Sequence, residues 1–517
     1  MIERILTVGG FTLLSRITGF ARDIFLAAVL GAGPVADAFF VALRLPNHFR
    51  AIFAEGAFNA AFVPAYASLR ERGGAARAGE FADRIFTLLL ATQLVLLALA
   101  LFFMPTVIDV LAPGLHGDPV RFPLAVELTR ITFPYLLLVT IVTLFSGILN
   151  ALQRFAAAAA APIFLNLSMI VTLALAAFFP TVGHAAAWGV LVAGVLEVLL
   201  VAYDARRAGA LTGLRRPTLD ADVKAFFKAL GPAVIGSGGV QLALFADTII
   251  ATFLATGALS ALYYADRLNQ LPIGVIGIAV GTVILPEMAR RIAAGDMAGA
   301  SAAQNRAVEL ALLLALPCLA AFVTVPDLIM RALFMRGAFT AADADAAGAT
   351  LAAYAIGLLP FVLIRTATAT FYARGDTATP VKAALTAAVV NIAFKFALMG
   401  PLAQVGLALA TAIGAWINLG LVVWFARRAG LLEIDARLRG AAWRLLAAAV
   451  VLAAVLWGLY APLSGWLAGV RLHDIAALAA LIAAGAVAYG GALLALFGPA
   501  RLRNWSRNLG RGRPPTR

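Results

Sequence analysis

Eight cationic side chains fall inside otherwise apolar stretches of the sequence: Arg16, Arg22, Arg44, Arg50, Arg130, Arg267, Arg365 and Lys395. Each costs about 2.5–3.5 kcal/mol at the centre of a membrane helix on insertion scales, so such a set is retained for a purpose. The acids in the same stretches are fewer: Asp23, Asp37, Glu55, Asp247 and Asp266. Spacing suggests two pairs, Arg16 with Asp23 and Asp37 with Arg44, because residues seven apart lie on nearly one face of a helix. Five anions cannot neutralise eight cations. A cavity with surplus arginine suits an anionic ligand, since the guanidinium fork matches phosphate and carboxylate bidentately.

The cations cluster where the helices are interrupted. The densest region is SRITGFARD (15–23), GAGPVADAFF (31–40) and RLPNHFRAIFAEGAFNAAFVPA (44–65). Pro46 removes a backbone donor from its helix. Gly31 and Gly33 add further breaks, and broken helices beside charge are where transporters bind and bend. SALYYADRLNQLPIG (260–274) repeats the pattern, with Asp266 beside Arg267 and Pro272 five residues on. Arg365 lies in a threonine-rich run, IRTATATFYARGD. Arg16, Arg22, Arg44, Arg50, Arg267 and Arg365, with Asp37, are therefore the candidate ligand-binding residues. Pro46, Gly31, Gly33, Glu55 and Asp266 are the candidate hinge and gate residues.

Other chemistry lacks its residues. No G-x-x-x-x-G-K-[ST] loop occurs. The single cysteine, Cys318, and four scattered histidines offer no metal-ligand spacing. No nucleophile–base set and no paired outer carboxylates suggest catalysis. The reading is of a transporter without catalytic residue, metal or cofactor, and it leaves any coupling ion open.

Composition names the elements that hold these residues. Of 517 residues, 63% are hydrophobic and only 13% charged. Counted with glycine in place of tyrosine the apolar share is about 70%, against about 45–50% in soluble domains. Continuous apolar runs such as Leu88–Met104 and Leu310–Val325 exclude a β-barrel, whose strands alternate. Hydropathy yields fourteen candidate transmembrane helices in an all-α polytopic membrane protein. The loops test the count. Twenty-eight of the forty Lys and Arg residues fall on one side and four, Arg121, Arg331, Arg336 and Arg471, on the other. Cytoplasmic loops collect Lys and Arg, so both termini are expected in the cytoplasm, and the net charge of +14 reflects topology. The basic tail, RLRNWSRNLGRGRPPTR, reads as a stop signal touching anionic lipid, with no role in binding nucleic acid.

Polar segment 208–224 lies near the middle and reads as a cytoplasmic linker. Ala42-Leu43-Arg44-Leu45 is echoed by Ala265-Asp266-Arg267-Leu268, 223 residues on. Both stand in the same orientation, which implies two six-helix lobes related by a pseudo-two-fold axis along the membrane normal. The expected organisation is an N-lobe at 1–207, a C-lobe at 225–430, two further helices at 431–500 and a basic tail at 501–517.

SRITGFARDIFLAAVLGAGPVADAFFVALRLPNHFRAIFAEGAFNAAFVPAY (15–66) resembles the MurJ (MviN) lipid II flippases of bacterial inner membranes. YYADRLNQLPIGVIGIAVGTVILP (263–286) is similar to their second signature, and the resemblance runs over essentially the whole chain. It departs at Gln270, where the family often carries an acid, and at His48, where an apolar residue is usual. The resemblance implies a V-shaped pair of lobes, within the multidrug/oligosaccharidyl-lipid/polysaccharide superfamily, around a cationic cavity. It implies that undecaprenyl-diphosphate-linked disaccharide-pentapeptide, lipid II, is moved from the cytoplasmic to the periplasmic leaflet by alternating access. The family's functional arginines fall on Arg16, Arg22, Arg50 and Arg267, and a family acid on Asp37. The last two helices would form a groove for the polyprenyl tail. Membrane lipids are expected partners, and cell-wall synthesis proteins are further candidates. The alternatives are an exporter of another lipid-linked glycan and a drug or cation antiporter of the same superfamily. An antiporter needs an anionic cavity, whereas this one is net positive. A glycosyltransferase would carry catalytic acids on large loops, and these loops are short.

Overall fold

The computed structural model describes residues 2–50, 56–470 and 472–499. Every regular element among them is helical, as the continuous apolar runs require. The helices are α1 (Ile2–Leu30), α2 (Pro34–Arg50), α3 (Gly56–Phe102), α4 (Met104–Leu111), α5 (Arg121–Thr132), α6 (Tyr135–Ala151), α7 (Ala156–Ala174), α8 (Val182–Arg207) and α9 (Ala221–Thr252). They continue with α10 (Ala258–Ala293), α11 (Met297–Thr324), α12 (Pro326–Phe334), α13 (Ala341–Ile356), α14 (Leu358–Tyr372), α15 (Ala378–Arg428), α16 (Ala436–Leu467) and α17 (His473–Phe497).

Among the described residues, nine helices are long and apolar enough to cross a membrane. The expected fourteen segments do not map one to one onto these nine. The α15 helix has 51 residues, a length of about 76 Å. That is more than twice the hydrocarbon thickness of about 30 Å. Its axis breaks at Ala403, where φ is 46° and ψ −127°. The α1 and α2 helices carry an arginine cluster themselves, and charge lowers their apolarity.

The chain divides into two compact units. The first is Met1–Ser260 with Arg336–Asp343, and the second is Ala261–Met335 with Ala344–Arg517. In the first unit α1 packs on α7, α2 on α5, and α3 on both α6 and α9. Its core is aromatic: the Phe62 ring lies 5.0 Å from that of Phe58 and 5.7 Å from that of Phe81, and Phe226 of α9 meets it edge-on. The α7–α8 contact is close because α8 is small-faced. A Cβ on Gly189 would stand 2.9 Å from the Met169 Cα, the close backbone approach that small residues permit in membranes.

The polar segment 208–224 does not hang free. The Gly213 N–H donates to Asp83 at 2.8 Å, and Arg215 gives its N–H to Thr87 at 2.9 Å and its guanidinium to Glu80 at 3.1 Å. Arg84 pairs with Asp220, and Arg77 with Asp222 at 3.0 Å. Asp220 also caps α9 through the Val223 N–H at 2.8 Å. The segment is thus laid along α3, and the start of α9 with it.

In the second unit α11 packs between α14 and α16, and α16 pairs with α17. Ile276 and Val280 of α10, Ala311 and Ala315 of α11 and Val362 of α14 make one apolar cluster.

Candidate functional site

Arg22 lies on α1 where that helix meets α7, and only 6% of it is exposed. Its Nε and Nη2 reach Asp23 Oδ1 at 3.1 and 2.7 Å, and its Nη1 donates to Asn166 Oδ1 at 3.1 Å. The Asn166 amide turns its donors on the Ser15 carbonyl at 3.0 Å and on Thr18 Oγ1 at 3.1 Å. A buried guanidinium is tolerated only when its donors are filled. The amide does this without adding charge and orients the arginine from a second helix. The acid beside Arg22 is thus its own neighbour, and the spacing that suggested Arg16 for Asp23 misassigned that carboxylate's partner.

Asp37 stands in the first turn of α2 and is 0% exposed. Its carboxylate accepts the Gly257 N–H at 2.8 Å, the Ser260 N–H at 3.2 Å and the Ser260 hydroxyl at 2.9 Å. Arg121 Nη1 lies 3.7 Å from the same carboxylate and donates to the Leu254 carbonyl at 3.2 Å. Arg121 is itself held by Asp118 at 2.6 Å. Hydrogen bonds from the Arg121 N–H, its side chain and the Val120 N–H pull the Asp118 carboxyl down to about 2. Asp37 therefore pairs with the turn at 254–260 and with Arg121, not with Arg44. Its oxygens are spent on donors of this chain.

Pro46 is buried inside α2, and the helix continues through it. Proline supplies no N–H to the carbonyl four residues back. That carbonyl, on Ala42, instead accepts the Thr132 hydroxyl of α5 at 2.7 Å. Gly31 ends α1 with φ +69°, a conformation glycine adopts freely. A Cβ there would lie 2.7 Å from the Ala338 carbonyl. The Ala338 N–H donates to the Ala28 carbonyl at 2.8 Å, so segment 336–343 is seated on the end of α1. The Gly33 carbonyl accepts the Asp37 N–H at 3.0 Å at the start of α2. Arg16 and Arg44 are half-buried on α1 and α2, and neither makes an ion pair among the described residues. Arg50 closes α2, with its side chain outside the described residues; Glu55 lies outside them altogether.

The second unit carries the remaining candidates. Arg267 lies half-buried on α10 with its guanidinium 5.0 Å over the Tyr263 ring, a cation–π contact. Asp266 accepts from Gln270, one turn on, at 2.7 Å. Gln270 thus donates where a carboxylate would repel. Arg365 of α14 is exposed and lies against the glycine face of α10, where a Cβ on Gly277 would stand 2.9 Å from its Nε. Gly277 is ten residues, or about 15 Å, along α10 from Arg267.

Asn166, Thr132, Ser260 and Arg121 escaped sequence reasoning. Asn166 had a signal, an amide inside the apolar run IFLNLSMIV. Arg121 counts in the sequence only as one of the four loop cations on the side poor in them. His48 meets Thr248 of α9 at 3.0 Å, so the unusual residue there makes a polar contact between helices.

The profile of the family described as Lipid II flippase MurJ matches residues 26–474. A probable lipid II flippase MurJ of Rhizobium tropici is 42% identical over 458 residues, covering 85% of this chain and 86% of that protein. A solved structure titled lipid II flippase MurJ, inward closed conformation, superposes with a TM-score of 0.79 at 22% identity, over 98% of this chain and 99% of that one. An inward-facing multidrug resistance MATE transporter of the MOP superfamily gives 0.64 at 17% identity, over 82% of this chain and 98% of that one. The last two likenesses concern the fold.

Proposed function

The chain belongs to the lipid II flippase MurJ family, and from that premise we propose that it moves lipid II from the inner to the outer leaflet of the bacterial inner membrane by alternating access. It is a multi-pass membrane protein and a transporter. The observation that carries the reading is the fate of the acids. The Asp23 carboxylate is engaged by Arg22, and Asp37 is filled by backbone, hydroxyl and Arg121. Arg16 and Arg44 have no carboxylate among the described residues. This favours an anionic cargo over the cation of an antiporter. The diphosphate and the acidic peptide of lipid II meet Arg16, Arg44, Arg50, Arg267 and Arg365 as acceptors, and they meet Arg22 only where it gives up Asp23 or Asn166.

Rocking of the lobes opens the site to each side in turn, with Gly31, Gly33, Pro46, Glu55 and Asp266 as hinge and gate. The polyprenyl tail stays in lipid along α16 and α17. The distribution of Lys and Arg supports cytoplasmic termini. No cofactor enters the scheme.

The test depletes the protein in its host and treats intact cells with an agent that attacks only periplasm-exposed lipid II. Protection should appear on depletion. Wild type should reverse it and Arg267→Ala, made at normal levels, should not. Unchanged exposure on depletion would sink the reading and point to another lipid-linked glycan.

A further inference from the structure

The basic ends of the helices are not alike. Arg77, Arg84, Arg154, Arg215, Arg290 and Arg291 each face a carboxylate. The elbow joining α15 to α16 differs. Arg427 and Arg428 close α15, and Arg439 and Arg444 follow early in α16. All four are exposed, and none pairs with a carboxylate among the described residues. Arg428 instead lies 5.3 Å over the Trp424 ring, and Arg444 lies 5.6 Å over that of Phe497. Ring contacts fix these cations while leaving their charge and donors available.

The elbow is also held in one shape. Gly430, at φ +65°, turns the chain out of α15, and the Leu431 N–H closes on the Ala426 carbonyl at 2.8 Å. The Glu433 carbonyl accepts Asn305 of α11 at 3.0 Å, and Asp435 caps α16 through the Leu438 N–H at 2.6 Å. Arg437 is tied to Glu309 of α11 at 3.3 Å. Asp435 is thereby committed to its cap and Glu309 to Arg437, and the elbow's other acid, Glu433, is exposed and pairs with none of the four arginines.

Two tryptophans give the depth. Trp424 is 50% exposed and Trp443 73%, one on each arm of the elbow. Indole rings settle at the level of lipid headgroups, so the four guanidinium groups stand where phosphates are. Four unneutralised forks on a rigid elbow complement a phosphodiester anion. We propose that the α15–α16 elbow binds the headgroup of an anionic glycerophospholipid of the surrounding bilayer. The elbow lies wholly within the second unit, and its hold on a lipid headgroup is independent of the transported cargo.

The test titrates purified full-length protein with phosphatidylglycerol and with phosphatidylcholine, and reads retained lipid by native mass spectrometry. Wild type should retain the anionic lipid in preference. Arg428→Gln/Arg439→Gln/Arg444→Gln should lose that preference, by about fivefold for each arginine neutralised. The corresponding triple Lys variant keeps the charge and should keep most of the preference, which separates charge from folding. A control triple at paired positions, Arg77→Gln/Arg215→Gln/Arg290→Gln, should behave as wild type, and millimolar inorganic phosphate should not displace the lipid. Retention of the preference by the elbow Gln triple overturns the proposal. So does equal loss in the control triple, or displacement by free phosphate.

Discussion

Arg22 shows how a cation is kept inside an apolar helix. Its charge is met by Asp23, but its direction is set by Asn166 from α7. A neutral side chain on one helix therefore orients a charged one on another. Replacing Asn166 by Leu leaves an Arg22 donor unfilled, at a cost of about 1–3 kcal/mol. We expect Asn166→Leu to lower the apparent thermal midpoint and to reduce lipid II exposure in the depletion assay, whereas Asn166→Gln, which keeps both the acceptor for Arg22 and the amide donors for Ser15 and Thr18, retains more of both. Equal activity of the Leu variant and wild type would remove Asn166 from the site. Asp37 makes the complementary case. Asp37→Asn turns one acceptor into a donor facing N–H groups, and the loss should appear as lowered stability even where Arg22 is intact. The arginines themselves were legible because charge in an apolar run stands out. Their partners were not, because Asn166 and Ser260 lie 144 and 223 residues from the groups they hold.

Among the elements, the breaks carry most of the information. Periodicity and hydropathy mark where helices run but not where one long apolar stretch must fold back. The α15 helix turns at Ala403, and a non-glycine residue at φ 46° and ψ −127° is strained by about 1–3 kcal/mol. Ala403→Gly should raise the apparent thermal midpoint in detergent, and Ala403→Val should lower it sharply; a fall with glycine would mean that the break is not strained. Pro46 teaches the opposite lesson. Sequence reasoning marks Pro46 as a candidate hinge; the helix continues through it, with Thr132 satisfying the carbonyl that proline abandons. Thr132→Val should expose that defect at a cost of about 1–3 kcal/mol, measurable as lost thermal stability. Proline's cost is local, but its remedy lies 90 residues away.

At the scale of the whole molecule the open quantity is orientation. The loop cations put His116 on the outer side and Arg215 on the inner side. Cys318 is the single native cysteine, so one substitution, Cys318→Ser, gives a background free of thiols. On intact cells a membrane-impermeant thiol reagent should then label His116→Cys and leave Arg215→Cys unlabelled until the membrane is opened. The reverse pattern would place the termini outside. The laying of segment 208–224 along α3 has a scale of its own. Its exposed pairs, Arg77–Asp222 and Arg215–Glu80, are each worth about 0–1 kcal/mol, so the segment is held by their number together with its backbone hydrogen bonds.

Composition alone established an all-helical membrane protein, because so apolar a chain has no other way to satisfy its backbone in lipid. The surplus of arginine over acid established the sign of the net charge inside the apolar runs, because net charge survives any arrangement of the chain. Two long motifs established the family. The tertiary structure decided which acid serves which base: Asp23 for Arg22, Asp37 for the 254–260 turn and Arg121, Asp266 for Gln270. It also separated the elbow arginines from those already paired. Hydrogen bonds and ion pairs act over about 3–4 Å in space without regard to separation along the chain. Residue types and their order therefore reveal which charges a protein carries, and the packing of helices determines which of them remain to be used.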